Sequence, residues 1–286
     1  MTRPRTVAVL LLLPAGLALV ALLVTPLLYL LSYSLHQAVP GRMAVEPGLT
    51  LSTYVRVLSD PFYLGVVVRT LALSLAATAI CAFLGFPLAY FLWRAPVRWK
   101  GILTLLVVAP LLISIVVRSY GWMVILGDSG VLNDALSALG LVDQPVTIMF
   151  TSLAVLIGLV HVQFPFMVLS VLAGLERIDP DLLDAAATLG SPRSRAVLEI
   201  VLPLAVPGLV AGITLVFSLC MTAFVTPTLM GGSGARVLTT LIYNQFVTVF
   251  DWPTGAAVAA LLLALCLGVT YVIVRGASGA VRRAEA

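Results

Sequence analysis

The sequence predicts an all-α polytopic membrane protein with six transmembrane helices, and three observations predict it. First, 61% of the 286 residues are hydrophobic and only 10% are charged, with a mean hydropathy of +1.15. A soluble domain carries roughly 45–50% apolar and about 25% charged residues. Sixteen basic and twelve acidic side chains are too few to cover a soluble core of this size, which excludes a soluble enzyme, a nucleic-acid-binding domain and a disordered chain. Second, a membrane helix needs ~20 mostly apolar residues to cross about 30 Å of hydrocarbon. Six stretches meet that length, at about 7–31, 70–93, 102–126, 146–175, 204–225 and 254–274. Third, the basic residues are unevenly divided among the connections.

Taken in order, the first stretch follows Arg3 and Arg5 and invites comparison with a signal peptide. It is too long for the apolar region of one and has no A-x-A-like cleavage site, so it reads as a retained span. The connection at about 32–69 carries Pro40, Gly41, Pro47 and Gly48, then a weakly amphipathic stretch at 51–58. The connection at 127–145 holds Asp128, Asp134 and Asp143 but no base, and its Leu132, Leu136 and Leu139 suggest a short helix at the membrane surface. The fourth span contains Pro165, and the connection at 226–253 is rich in Gly and Thr. One set of segments holds Arg3, Arg5, Arg94, Arg98, Lys100, Arg177, Arg193, Arg195, Arg275, Arg282 and Arg283; the opposite set holds only Arg42, Arg56, Arg69 and Arg236. Basic residues favour cytoplasmic loops, so both termini are expected in the cytoplasm, as an even number of spans also requires. There is no repeat, low-complexity tract or linker, and residues 1–286 read as a single transmembrane domain.

Chemistry of the usual kinds is missing. Cys81, Cys220 and Cys266 each lie alone in an apolar run, with no CxxC and no Cys/His cluster, so no disulfide framework or metal site is expected. Lys100 is the only lysine, and no GxxxxGK[ST] surrounds it. GxSxG and HExxH are absent too. The chain is expected to bind no cofactor, to catalyse nothing, and to leave any ATP to another polypeptide.

The most informative segment is 176–203. Asp179-Pro180 reads as a helix cap followed by a first-turn proline. Leu182, Leu183, Ala186 and Leu189 follow at helical spacing, and Gly190 stands where a helix ends. Ser191-Pro192 starts a second helix with Val197, Leu198 and Val201 on one side, and Pro203 marks the approach to the next span. The first helix has an apolar face that either docks on a partner or rests on the protein's own cytoplasmic end or on lipid headgroups.

Asp184-Ala185-Ala186, then Gly190, then Ile200-x-Leu202-Pro203 resembles the EAA loop of binding-protein-dependent ABC importer permeases, without insertion or deletion and with Asp184 in place of Glu. Val117-Arg118-Ser119-Tyr120-Gly121-Trp122, Gly130-Val131-Leu132-Asn133, Phe224-Val225-Thr226-Pro227 with Gly231-Gly232, and Asn244-Gln245-Phe246 leading to Asp251-Trp252-Pro253 resemble the PotB-like spermidine/putrescine permease subfamily. The resemblance implies a type I (MetI-like) importer transmembrane domain in the bacterial inner membrane. It also implies an ABC ATPase dimer that binds ATP and Mg, a second homologous permease completing the pore, and an extracytoplasmic solute-binding protein. In that family the loop helix sits in a cleft of the ATPase subunit. Leu182, Leu183 and Leu189 would then supply its buried face, Ala185 and Ala186 its close approach, and Gly190 its turn. Arg193 and Arg195 would meet solvent, the partner or lipid headgroups. Gly190→Asp or Ala186→Asp is expected to uncouple hydrolysis from uptake.

No Asp or Glu lies within the six stretches, which weighs against a proton-coupled carrier. The polar residues there are few, and Arg118, Tyr120, His161, Gln163, Phe224, Thr226, Tyr243, Asp251 and Trp252 are the candidate translocation path. His161 and Gln163 either line the path or bond neighbouring helices. Arg118 snorkels, pairs with Asp128 or Asp134, or meets solute. Phe224, Tyr243, Asp251 and Trp252 suit a flexible cation or form an interfacial aromatic belt. The solute implied is a polyamine; an opine, a phosphonate, a metal or an oxyanion are the alternatives, and a secondary carrier or membrane enzyme are more distant ones.

Overall fold

The computed structural model describes residues 4–39, 45–179 and 181–285; Arg3, Pro40, Gly41, Arg42 and Pro180, used above, lie outside them, as do the side chains of Arg5, Arg282 and Arg283. Among the described residues every element is helical, apart from a single antiparallel bridge between Ala38 and Val45. The helices are α1 (Pro4–Ser34), α2 (Ser52–Ser59), α3 (Pro61–Arg94), α4 (Val97–Val108), α5 (Ile115–Leu126), α6 (Val131–Ala138), α7 (Ser152–Leu175), α8 (Asp181–Thr188), α9 (Arg193–Ala196), α10 (Leu202–Met221), α11 (Leu238–Asn244) and α12 (Trp252–Glu285). Six segments are long and apolar enough to cross a membrane: Leu12–Ser34, Pro61–Arg94, Ile115–Ala138, Ser152–Leu175, Arg193–Met221 and Trp252–Ala277.

The third crossing differs from the continuous helix expected over 102–126. Pro110 has no N–H to give the carbonyl of Leu106, and the backbone tightens into a 3-10 turn at Ala109–Leu112. Ile113 and Ser114 are then extended before α5 begins. Although α5 and α6 together satisfy the length test, the turn at 127–130 separates them. The passage along α7 is made by α4, the 3-10 turn and α5, all of which pack on it. The helix α6 is the short one anticipated from Leu132 and Leu136, and α2 is the amphipathic stretch at 51–58.

The chain forms two compact units, Met1–Leu64 with Leu241–Leu263, and Gly65–Thr240 with Ala264–Ala286. In the second, α7 and α10 are the central pair. Gly174 and Gly208 meet backbone to backbone, and a Cβ on either would stand 2.8 Å from the other's Cα. Small residues permit this approach where lipid supplies no hydrophobic drive between helices. Leu73, Ala77, Cys81 and Ala89 of α3 pack with Leu159, Met167, Val168 and Val171 of α7 and with Val216 and Cys220 of α10. Both cysteines are buried packing residues, and Cys81 Sγ also donates to the Val160 carbonyl at 3.6 Å. Asn133 is buried and clamps its connection, donating to the carbonyls of Gly127 (3.0 Å) and Val146 (3.1 Å) and accepting from Val146 N–H (2.8 Å).

The connection at 226–253 is partly buried rather than an open loop. Met230, Ala235, Val237, Leu238 and Leu241 are buried, and π-helical turns occupy Pro227–Gly231 and Gln245–Val249. Irregular backbone at membrane depth must be enclosed by protein and its polar groups satisfied. Here Phe150 N–H donates to Met230 O (2.9 Å), Arg69 to Gly234 O (3.1 Å), Leu238 N–H to Thr70 Oγ1 (2.9 Å) and Thr239 Oγ1 to Ala223 O (2.7 Å). A Cβ at Gly234 would fall 2.4 Å from the Phe150 carbonyl, so glycine is required there.

Candidate coupling loop and translocation path

The segment between α7 and α10 is anchored at both ends. Glu176, just past α7, pairs with Lys100 of α4 (2.8 Å). Asp179 Oδ1 accepts from the Asp181 N–H (3.0 Å) and starts α8. At the far end Gly190 has φ +79°, and the Ser191 N–H returns to the Ala186 carbonyl (3.0 Å), a left-handed helix stop that glycine adopts without a Cβ penalty.

No separate second helix follows. From Arg193 the chain runs through α9 and a π-helical turn at Val197–Val201 straight into α10, so the loop proper ends near Pro192 and not at Pro203. Pro203 cannot donate to the Glu199 carbonyl, and the Leu202 N–H reaches Val197 instead. That shift in hydrogen-bond register absorbs the proline without breaking the rod. Arg195 pairs with Glu199 one turn along (2.9 Å).

The candidate residues of α8 divide between two faces. Ala186 is buried and Leu183 packs on the core of its own unit. Leu182, Asp184, Ala185 and Leu189 are exposed, Leu189 at 88%. The face expected from Leu182, Leu183 and Leu189 together is thus split, and Ala186→Asp reports on internal packing rather than on an external contact. Ile200 and Leu202 are half-buried and Pro203 is exposed. Leu183, Asp184 and Ala187 border a cavity of about 540 Å³ shared with Tyr90, Arg94 and Arg193.

Among the candidate path residues, His161 Nδ1 accepts from Trp122 Nε1 (3.1 Å) with the rings edge to face. Trp122 stands in the Val117–Trp122 motif but not among the candidate path residues, because an aromatic in an apolar run carries no signal of its partner. Pro165 leaves the His161 carbonyl without its helical donor, yet α7 continues through it. Gln163 and Thr226 are buried, and Gln163 Oε1 and Thr226 Oγ1 meet no donor. Gly158 sits under Thr226, where a Cβ would come within 2.5 Å of the Thr226 methyl. Arg118 forms no ion pair with Asp128 or Asp134 among the described residues, and its Nε and Nη1 are buried without an acceptor. Tyr120 is exposed, and Phe224 is half-buried in the same unit.

Asp251, Trp252 and Tyr243 belong to the other unit. Asp251 is fully occupied: Oδ1 accepts from the Thr254 N–H (3.0 Å), Oδ2 from Thr254 Oγ1 (2.7 Å) and from Arg56 Nη2 (3.3 Å), while Arg56 also bonds Thr254 Oγ1. It caps α12 and is neutralised by Arg56, so it is not an acid free for a cation. Trp252 lies tilted against Tyr33 (6.1 Å) and edge to face with Phe246 (6.3 Å), and Tyr243 is exposed.

Residues 83–282 match the family described as binding-protein-dependent transport system inner membrane component. The chain is 38% identical over 229 residues to the spermidine/putrescine transport system permease protein PotB of Salmonella typhimurium (strain SL1344), covering 80% of this chain and 79% of that one. The fold matches a chain of a bacterial alginate ABC transporter, solved in complex with an alginate pentasaccharide-bound periplasmic protein, with a TM-score of 0.77 at 19% identity over 96% of this chain and 95% of that one. It also matches the inward-facing MetNI methionine ABC transporter, with a TM-score of 0.53 at 22% identity over 79% of this chain and 99% of that one. The fold is therefore that of a type I importer transmembrane domain, and the chain belongs to the family of binding-protein-dependent transport system inner membrane components.

Proposed function

We propose that this chain forms half of the translocation pore of an ATP-driven importer and that its solute is a polyamine of the spermidine/putrescine class. The solute class rests on the PotB relative. The sequence holds no GxxxxGK[ST], and ATP and Mg are assigned to a partner ATPase dimer. A second permease completes the pore, and an extracytoplasmic binding protein delivers solute. Both termini and α8 face the cytoplasm of a bacterial inner-membrane protein, in keeping with the basic residues at the ends of α3, α4 and α9.

The observation that carries the mechanism is the geometry of α8. It is a short helix tied at both ends, with Leu183 and Ala186 turned inward and Leu182, Ala185 and Leu189 outward. The outward ridge seats in a cleft of the ATPase subunit. Closure of the ATPase dimer moves that cleft, and the bundle passes between outward and inward access as a rigid-body transition. Leu189→Asp tests this. Leu189 contributes nothing to the protein's own core, so the variant accumulates in the membrane normally, loses ATP-driven uptake, and recovers less ATPase subunit on co-purification. Wild-type uptake at normal abundance would refute the docking.

A further inference from the structure

We propose that the cavity beside α8 holds the headgroup of a bilayer aminophospholipid, its phosphodiester between Arg94 and Arg193 and its ammonium at Asp184. This rests on the cytoplasmic placement of α8 given above and goes beyond the coupling reading. Arg94 is the last residue of the crossing Pro61–Arg94, and Arg193 is the first of the crossing Arg193–Met221. The fold brings these two terminal arginines to one cavity of about 540 Å³. Their level is the headgroup region. Arg94 lies over the Trp93 ring at 6.0 Å, and Trp99 stands half exposed five residues on, as tryptophans do where hydrocarbon meets water.

Neither arginine is committed within the chain. Among the described residues Lys100 takes Glu176 and Arg195 takes Glu199, while Arg94 and Arg193 form no ion pair, not even with Asp184 in the same cavity. Both are exposed, so a ligand reaches them. Leu183, Val197 and Leu198 make the walls apolar. Such walls add nothing for a free phosphate, whereas the glycerol and first methylenes of a phospholipid gain by leaving water against them. Guanidinium groups bind phosphate oxygens through charge-assisted hydrogen bonds, and basic pockets at the cytoplasmic ends of membrane helices take lipid headgroups. Asp184 repels a purely anionic headgroup and attracts one that carries an ammonium. The cavity also lies away from the ridge assigned to the ATPase. At about 100° per residue, Leu183, Asp184 and Ala187 centre roughly half a turn from Leu182, Ala185 and Leu189. The lipid therefore backs α8 on the side opposite the ATPase.

The test uses the complete importer, purified in mild detergent through a tag on this chain, with the retained lipid identified by native mass spectrometry. The wild type keeps added phosphatidylethanolamine through the detergent wash. Arg94→Gln and Arg193→Gln each lower that retention roughly tenfold at normal membrane abundance, as loss of a charge-assisted hydrogen bond to phosphate requires. Asp184→Asn lowers retention of phosphatidylethanolamine but not of phosphatidylglycerol, because only the ammonium loses its partner. Arg195→Gln is the control, since Arg195 is paired with Glu199 and does not line the cavity, and it leaves retention unchanged. Wild-type retention in both the Arg94 and Arg193 variants overturns the proposal. So does displacement of the lipid by millimolar inorganic phosphate, for the site then reads phosphate alone. Loss of the ATPase subunit from these variants with lipid retention intact overturns it too, for the arginines then serve that partner. Retention is read without ATP or solute, so it stands apart from the coupling and polyamine readings.

Discussion

Gly208→Ala is a one-carbon test of how α7 and α10 hold together. The added Cβ would lie 2.8 Å from Gly174 Cα, 3.0 Å from the Ser170 carbonyl oxygen and 3.1 Å from Gly174 N. All three are backbone atoms, so no side chain can rotate away. Comfortable carbon contacts begin at roughly 3.5 Å, and the two helices must separate by about 0.7 Å at the crossing. Overpacking of this kind costs about 1–3 kcal/mol, against a gain of about 0.5–1 kcal/mol from replacing glycine by alanine in a helix. The net expectation is a loss of about 1–2 kcal/mol. Gly268 of α12 is the control, since a Cβ there meets nothing within 4 Å and Gly268→Ala receives the helical gain alone. Thermal unfolding of the detergent-solubilised protein, followed by loss of monodisperse material, should put Gly208→Ala several degrees below wild type and Gly268→Ala at or above it. Equal midpoints for the two variants would show that the close approach is not what holds the pair.

Two further outcomes separate structural from functional roles. Asp251→Ala removes the cap of α12 and should cost about 1 kcal/mol, the exposed Arg56 adding little, while the KM for solute in vesicle uptake stays unchanged; a KM raised tenfold at normal abundance would return Asp251 to the solute path. Asn133→Ala strands the buried partners of three hydrogen bonds and should cost about 2–4 kcal/mol, read as faster proteolysis within 127–146; wild-type resistance would refute the clamp.

The parts of this molecule legible in its sequence are those that local chemistry decides. Apolar length gives the crossings, Asp179 and Gly190 bracket α8, and leucine spacing gives α6, because a cap, a left-handed stop and an amphipathic period each act over one or two turns. What was hidden depends on residues far apart. Asp251 looks like an exposed acid beside a tryptophan until the fold brings Arg56, 195 positions away, against it. The Gly- and Thr-rich connection after α10 has the composition of a loop, yet Thr70 and Arg69 bind its backbone. Pro110 broke a crossing expected to be continuous, and Pro203, read as the approach to the next span, lies inside a rod that already began at Arg193, because a π-helical turn just before it took up the missing hydrogen bond.

That π-helical turn bears on how force would travel. An isolated eight-residue helix is not stable in water, so α8 keeps its shape through its attachments, and the two attachments differ. On one side, Glu176 just past α7 is held by the partly exposed Lys100–Glu176 pair, a contact weak enough to break and reform. On the other, four residues after Thr188 separate it from a helix that continues from Arg193 to Met221. Under the proposed coupling, a displacement of α8 is passed to α10 as motion of a rod and is opposed at α7 only by the Lys100–Glu176 pair. Because α7 and α10 touch backbone to backbone at Gly174 and Gly208, the rod cannot move far without carrying α7 with it. Under the proposed coupling, gating requires the α7–α10 crossing to stay tight while the ion pair at the base of α8 gives way.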